Sequence, residues 1–360
     1  MAHLFSTLQL RELVLANRIG VPSMCQYSAQ DGMASDWHFV HYGSRAIGGP
    51  GLITVEATAV AANGRISAAD LGLWDDAQIE PLARIAHFAK AQGCIIGVQL
   101  AHAGRKASVT LDWQAPRPLS ASEGGWNVVG PSPLAFAEGY PQPHELDAAA
   151  IAAVIGEFIA AARRARAAGF QTVQIHAAHG YLLHQFLSPL ANQRTDSYGG
   201  SFENRTRLVR EVVTAVRHEW PERLPLLIRL SATDWVDGGW DADQTVELCR
   251  VLKGLGVDLV DVSTGGLVPY AQIPVGPGFQ TEFAERVRRE AGIPTATVGL
   301  ITAPAQADHI VRSGQADLVL LGREVLRNPY WPLEAAQALG QTAAWPAQYL
   351  RAAPAGSTAR

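Results

Sequence analysis

Residues 172–205 read TVQIHAAHGYLLHQFLSPLANQRTDSYGGSFENR, and the way they divide decides the fold. The first five, Thr172 to His176, read as a buried strand. At its end His176, His179 and Tyr181 bring three proton-handling or hydrogen-bonding side chains within six positions. The segment after them, with Arg194, Asp196, two glycines, Glu203, Asn204 and Arg205, is too polar and turn-rich for core. Leucine-bearing segments flank it, so it reads as an ordered loop that braces the chain after this strand.

Working outward, short apolar and β-branched runs recur at Ile19 to Ser23, Leu52 to Glu56, Ile95 to Leu100, Leu226 to Leu230, Leu259 to Val262, Thr295 to Val298 and Leu318 to Leu321, making eight strands with Thr172 to His176. Between most of them lie amphipathic stretches at Ala77 to Gln92, Ala148 to Ala168, Arg205 to Trp220, Ala242 to Leu255, Glu282 to Ala291 and Ala303 to Ser313, a repeated β-α order. Strands that are apolar along their length are covered on both faces, as in parallel sheets. Eight such units favour a single (βα)8 TIM barrel over an open doubly wound sheet. No G-x-G-x-x-G turn follows an early strand, which argues against a dinucleotide-binding open sheet. More than 70 residues separate the third and fourth strands, against about 30 for a bare unit. The stretch at about 104–145, rich in Pro, Gly, Ser and Trp, is expected to cap the barrel mouth. The barrel is expected over residues 1–335, followed by an extension at 336–360 whose end, Ala352 to Arg360, is expected to be frayed.

Composition removes several classes of function. With 360 residues, 48% hydrophobic and 17% charged, the chain can bury a large core, and a net charge of −4 leaves no basic footprint for nucleic acid. Three widely spaced cysteines, Cys25, Cys94 and Cys249, argue against a disulfide framework or a Cys-based zinc site and fit a reducing, cytoplasmic setting. Cys94 and Cys249 read as core fillers, whereas Cys25 leads a loop at the mouth. No secretory signal and no bilayer-spanning run is read, so a soluble protein is expected.

In a TIM barrel the site lies where strand C-termini meet the β-α loops. Those ends carry Ser23 to Tyr27, Glu56 to Thr58, Gln99 with His102, Arg105 and Lys106, then His176, His179 and Tyr181, Arg229, Ser263 to Gly266, Gly299, and Gly322 with Arg323. A single Gln or Arg there serves a structural hydrogen bond as readily as a ligand contact. Gly299 and Gly322 are simple turn residues or, with Arg323, a phosphate site. The His176-x-x-His179 pair suits zinc, or two hydrogen bonds to one carbonyl oxygen with Tyr181 as the acid. The metal reading is the weaker, because strand one offers Met-Cys-Gln, strand five Arg and strands seven and eight glycines, and an arginine at the mouth would repel a cation.

The chain resembles the Old Yellow Enzyme family, specifically its thermophilic-like or xenobiotic-reductase branch. The resemblance is carried by NRIGVPSMCQYSAQDGMASDWH at 17–38, GLITVEATAV at 51–60, GVQLAHAGRKAS at 97–108, HAAHGYLLHQFLSPLANQRTDSYGGSFENR at 176–205 and LGREVLRNPYW at 321–331. It implies an FMN-containing barrel that takes hydride from NADPH or NADH and reduces the C=C bond of α,β-unsaturated carbonyl compounds. By resemblance Ser23, Met24, Cys25, Ala57 and Gln99 contact the flavin, Arg229 lies at its N1 and O2 end, and Gly299, Gly322 and Arg323 hold its phosphate. His176 and His179 hold the substrate oxygen, Tyr27 flanks the substrate, hydride leaves flavin N5, and Tyr181 donates the proton. No metal is implied, and the substrates are small enones, enals, quinones or maleimides. A homodimer or dimer of dimers is implied as well, because Trp345 to Arg351 resembles a segment that inserts Arg351 into a neighbouring subunit's site. The family's pattern has Pro where Ser23 stands, and some relatives carry an aromatic at Val298.

Overall fold

The protein is described by a computed structural model covering residues 3–360. The strands are β1 (Ile19–Val21), β2 (Leu52–Ala59), β3 (Ile95–Ala101), β4 (Thr172–Ala177), β5 (Leu226–Ser231), β6 (Leu259–Ser263), β7 (Thr295–Val298) and β8 (Leu318–Leu320). Each pairs in parallel with the next, and the pairing of Val319 with Ile19 returns β8 to β1, so the sheet closes into a barrel. Helices α1 (Asp36–Gly48), α2 (Ile79–Ala91), α3 (Ala148–Ala167), α4 (Leu182–Leu187), α5 (Arg207–Glu219), α6 (Ala242–Gly254), α7 (Thr281–Ala291) and α8 (Pro304–Arg312) surround it. This is the expected (βα)8 barrel.

Helix starts follow local chemistry. The Asp147 carboxylate accepts from Ala150 N–H at the head of α3, and Asp241 accepts from Gln244 N–H at the head of α6, satisfying donors the first turn leaves free. A hairpin, Leu8–Leu10 with Leu13–Leu15, closes the bottom. Its Leu8, Leu10 and Leu15 pack on Leu52, Leu259 and Leu318, the first residues of three strands. Both ends of the barrel therefore cannot be mouths, and the site is left to the strand C-termini.

Three expectations are corrected. Strand β1 stops at Val21, so Ser23 stands in the loop beyond it, while β2 runs on to Ala59. Helix α1, which the sequence pattern did not reveal, is the next element after β1, and its buried face is formed by His38, His41, Tyr42 and Arg45 with Ala46 as the one aliphatic residue. The tail is not frayed: Thr358–Ala359 pairs with Ala344–Trp345, and the Arg360 guanidinium donates to the Ile47 carbonyl. The insertion at 104–145 is a set of single helical turns joined to the pair Val129–Gly130 and His144–Glu145. Among the described residues no helix is long and apolar enough to cross a membrane.

Candidate active site

Inside the barrel the polar residues of five segments join in one ladder. Gln99 Nε2 donates to Gln174 Oε1 at 2.6 Å, and Gln174 Nε2 donates to Asp261 Oδ2 at 3.2 Å. Arg229 Nε lies 3.2 Å from the same oxygen, off the hydrogen-bond axis, and Arg229 Nη1 donates to Ser23 Oγ at 3.1 Å. Burying a charge this deeply is tolerable only with a partner. Asp261 supplies it, yet burial still raises the Asp261 carboxyl pKa against the pull of Arg229. Asp261, itself oriented by Gln174, and Ser23 hold the guanidinium in place, and its outer edge borders a cavity of about 450 Å³. Ser23, Met24, Gly299, Gly322 and Arg323 line that cavity too. Gly322 precedes the short helix Arg323–Arg327; its carbonyl accepts from the Val325 and Leu326 N–H groups, which leaves those of Arg323 and Glu324 as the free donors of the first turn.

Beside the ladder stand the three rings at the end of β4. His176 lies edge-on to His179 at 5.2 Å between centroids and to Tyr181 at 5.0 Å. Ala178 N–H donates to His176 Nδ1, so in the neutral ring the proton sits on Nε2. Burial, and after it the Arg229 charge, pushes both imidazoles well below the usual histidine range, so they are neutral at pH 7. Burial pushes the Tyr181 phenol well up, so it keeps its proton. His176 Nε2 and His179 Nδ1 have no partner among the described residues, and neither is sealed from solvent. The cluster is two neutral bases and a neutral acid facing an open space.

The loop that carries them is held against its own preferences. His179 has φ 59 and Gly180 φ 75, the left-handed region that non-glycine residues avoid. A Cβ on Gly180 would stand 2.2 Å from Gly266 O, so backbone packs directly on backbone between the β4 and β6 loops. Lys106 closes the contact, its Nζ donating to His179 O at 2.8 Å and Gly266 O at 2.9 Å, with Nζ 5.2 Å from the Tyr181 ring centroid. From below, Gly180 N–H donates to His184 Nδ1 at 2.9 Å. His184 Nε2 faces Asp234 Oδ1 at 2.9 Å, off the ideal axis, with both side chains fully buried. Gln185 Nε2 donates to Gly180 O as well.

Cys25, Tyr27 and Tyr181 gather on a second apolar patch with Trp126 and Tyr140. Cys25 is a free, half-buried thiol whose pKa burial raises well up, followed by the effect of Asp70. Under this loop Glu56 accepts from Gln26 N–H at 2.6 Å and from the Tyr42 hydroxyl at 3.0 Å. Burial raises the Glu56 carboxyl to about 8. Cys94 and Cys249 are buried in the core, as read from sequence.

The structure thus groups Ser23, Met24, Arg229, Gly299, Gly322 and Arg323 around the large cavity, Gln99 in the ladder behind it, and His176, His179 and Tyr181 beside it. Ala57 lines a small void against Tyr181 rather than the large cavity. Arg351 is apart from all of these, exposed on the turn Ala347–Ala352, its guanidinium without a hydrogen bond or ion pair to any described residue. Gln174, Asp261, His184, Asp234 and Gln280 went unread. The available signal for Gln174 and Asp261 was a polar residue inside an otherwise apolar strand. The loop at 194–205 is a brace: Arg194 donates to Pro131 O and Leu146 O and pairs with Asp196 and Glu145, tying the cap to the β4 loop. Among the described residues no group of three or more His, Cys, Asp or Glu converges as a cation site.

Comparison with known proteins gives a consistent set. A family model described as NADH:flavin oxidoreductase / NADH oxidase matches residues 3–341. An NADPH dehydrogenase of Geobacillus thermodenitrificans is 49% identical over 350 residues, covering 97% of this chain and 98% of that protein. One of Listeria innocua is 46% identical over 354 residues, covering 98% and 99%. Among solved structures, morphinone reductase in complex with tetrahydroNAD superposes with a TM-score of 0.78 at 28% identity, covering 96% of this chain and 93% of that one. The old yellow enzyme homologue of Zymomonas mobilis gives 0.79 at 25% identity, covering 94% of each chain.

Proposed function

The chain belongs to the NADH:flavin oxidoreductase / NADH oxidase family and is an oxidoreductase, and from that premise we propose that it is an FMN-dependent ene-reductase acting on α,β-unsaturated carbonyl compounds. Two observations support FMN in the 450 Å³ cavity: a buried guanidinium whose Nε–H lacks an aligned acceptor, and a glycine-bounded end beside Arg323 suited to a phosphate. Ser23 and Met24, which line the cavity, would hold the ring, with Gln99 behind it and Cys25 and Ala57 at the edge toward Tyr181, Arg229 would hold its negatively charged end, and Gly299, Gly322 and Arg323 the phosphate. FMN, when bound, carries hydride from NADPH or NADH to the substrate.

The remaining work belongs to the chain's own side chains. The substrate's carbonyl oxygen lies between His176 and His179, with His176 Nε2–H donating to it. As charge develops on that oxygen during reduction, a preorganised neutral donor stabilises it without the cost of burying a second cation beside Arg229. Tyr181, kept protonated by its surroundings, delivers its proton to the α-carbon. Tyr27 flanks the substrate on the side of the aromatic patch. The reading rests on one observation above the rest: a neutral imidazole, His176, with the second imidazole 5.2 Å and the protonated phenol 5.0 Å from its ring, two of the nitrogens unpartnered and open.

The purified protein should be yellow, bleach on anaerobic addition of NADPH, and regain its colour on addition of cyclohexenone. Tyr181→Phe should slow that second half-reaction and leave the first intact, and full-rate reoxidation in the variant would remove Tyr181 from its role. A colourless preparation with stoichiometric zinc would favour a metal-dependent hydrolase instead. Arg351, exposed and unpaired, is free to enter a neighbouring copy's site in a cytoplasmic homodimer. Truncation before Trp345 should then raise KM and change the oligomer mass, and an unchanged pair of values would exclude the shared site.

A further inference from the structure

Three side chains behind His179, those of Gln280, Thr264 and Ser263, determine where its proton sits. Gln280, just before α7, directs its Nε2 at the Val298 carbonyl at 2.7 Å, and a carbonyl only accepts. Its Oε1 therefore faces the other way, where Thr264 Oγ1 lies at 2.8 Å and Ser263 Oγ at 3.2 Å, both as donors. With its one hydroxyl proton given to Gln280, Ser263 Oγ meets His179 Nε2, 2.7 Å away, as an acceptor. A neutral His179 in that arrangement carries its proton on Nε2 and presents a bare Nδ1. The backbone gives it little freedom to turn, because its own N–H is held by Ser231 Oγ at 2.9 Å and that hydroxyl by Gly265 O at 2.8 Å.

We propose that Ser263 and Gln280 are positioning residues that select the tautomer of His179, and so decide whether the site meets a substrate oxygen with one N–H donor or with two. In the resting site His176 offers Nε2–H and His179 offers a lone pair, a combination that suits a hydroxyl or an enol. A carbonyl or an oxyanion is better met by two donors. That state forms when Ser263 turns its hydroxyl from Gln280 Oε1 to His179 Nε2. The Nε2 proton leaves to water and one from water arrives on Nδ1, so the charge of the site is unchanged. Gln280 Oε1 keeps Thr264 as a donor throughout, so the exchange sacrifices only the longest hydrogen bond of the set. An anionic ligand has to drive this re-seating out of its own binding energy, which lowers its apparent affinity. The inference takes the location of the substrate oxygen from the ene-reductase reading, but the position of the proton is read from hydrogen bonds within the protein.

The test is the 15N spectrum of the flavin-loaded protein labelled at histidine, with His179 assigned by its loss in His179→Asn. Wild type should show Nδ1 of His179 as unprotonated at pH 7. Gln280→Met removes the acceptor at nearly constant length, frees the Ser263 hydroxyl to donate to Nε2, and should move the proton to Nδ1. The same variant should bind 4-nitrophenolate up to about tenfold more tightly, about 1.4 kcal/mol. Adding Ser263→Ala should abolish both effects, and Ser263→Thr in its place should preserve them. A wild-type His179 protonated on Nδ1 overturns the proposal, as does a Gln280→Met protein with tautomer and phenolate affinity both unchanged. Should enones fail to reoxidise the protein while the tautomers behave as stated, the ene-reductase reading fails and this one stands.

Discussion

Lys106 is the side chain whose removal separates stability from chemistry most cleanly. Its ammonium donates to His179 O and Gly266 O, and charged donors contribute about 1.5–3 kcal/mol per bond, about 3–6 kcal/mol for the two. Against this, burial and then the nearby Arg105 lower its pKa from 10.5 to about 8, which at about 1.36 kcal/mol per pH unit costs about 3.4 kcal/mol. The first outweighs the second by at most about 2.6 kcal/mol, so Lys106→Met, which keeps the stem over the Phe136 and Tyr181 rings, should change unfolding stability by less than about 3 kcal/mol. The loop with His179 at φ 59 and Gly180 at φ 75, however, loses the tie that holds it. A displacement near 1 Å of reacting groups costs about 10²-fold in rate. Urea unfolding of the flavin-loaded variant, paired with stopped-flow reoxidation by cyclohexenone, reads both quantities. A rate within twofold of wild type would refute the idea that Lys106 holds the reactive loop.

Other perturbations probe neighbouring parts. Gly180→Ala sets a Cβ 2.2 Å from Gly266 O in a left-handed backbone, and should lose about 1–2 kcal/mol from conformation alone plus the clash, seen as a lowered Tm with activity abolished. Asp234→Asn turns an amide toward either His184 Nε2–H or the donors Ser188 Oγ and Trp240 N, leaving one side unmatched. Leaving so buried a donor unmatched should cost about 1–3 kcal/mol in urea unfolding, and a cost under about 0.5 kcal/mol would show that the pair does not anchor Gly180. Glu56, with its folded carboxyl raised to about 8 from 4.5, holds a proton that the unfolded chain has released. Stability should therefore fall as pH rises from about 4.5 to 8 and level off above, and Glu56→Gln should flatten that slope in Tm measured against pH.

Much of the candidate site is legible in the sequence. Polar and glycine residues at the ends of apolar runs are conspicuous, and one architectural rule, that strand C-termini face the site, was enough to collect Ser23, Arg229, Gly299, Gly322 and Arg323 from distant parts of the chain around one cavity. His176, His179 and Tyr181 lie so close in sequence that the end of β4 alone brings them together. What escaped were partners joined only through space. His179 meets Ser263 across 84 residues, Gln174 meets Asp261 across 87, and Ser188 meets Asp234 across 46. Periodicity reports whether a position is buried, not which polar atom lies opposite it, so Gln280 looked like an ordinary residue before a helix. The tail was misread for the same reason, since its short strand pair is stabilised by the chain it folds onto and by nothing in its own composition.

The sequence by itself determined the order of strands and helices, the closed barrel that this order favours, and the identity of the groups at its mouth, because hydrophobic runs and strand ends are local properties. Only the tertiary structure decided which states those groups adopt. The proton of His176 is assigned by Ala178 N–H and that of His179 by Ser263 and Gln280, while Arg229 is aimed by Asp261 and Ser23. Protonation and orientation depend on burial and on the atoms within about 3 Å, and those neighbours come from elements far apart in the chain.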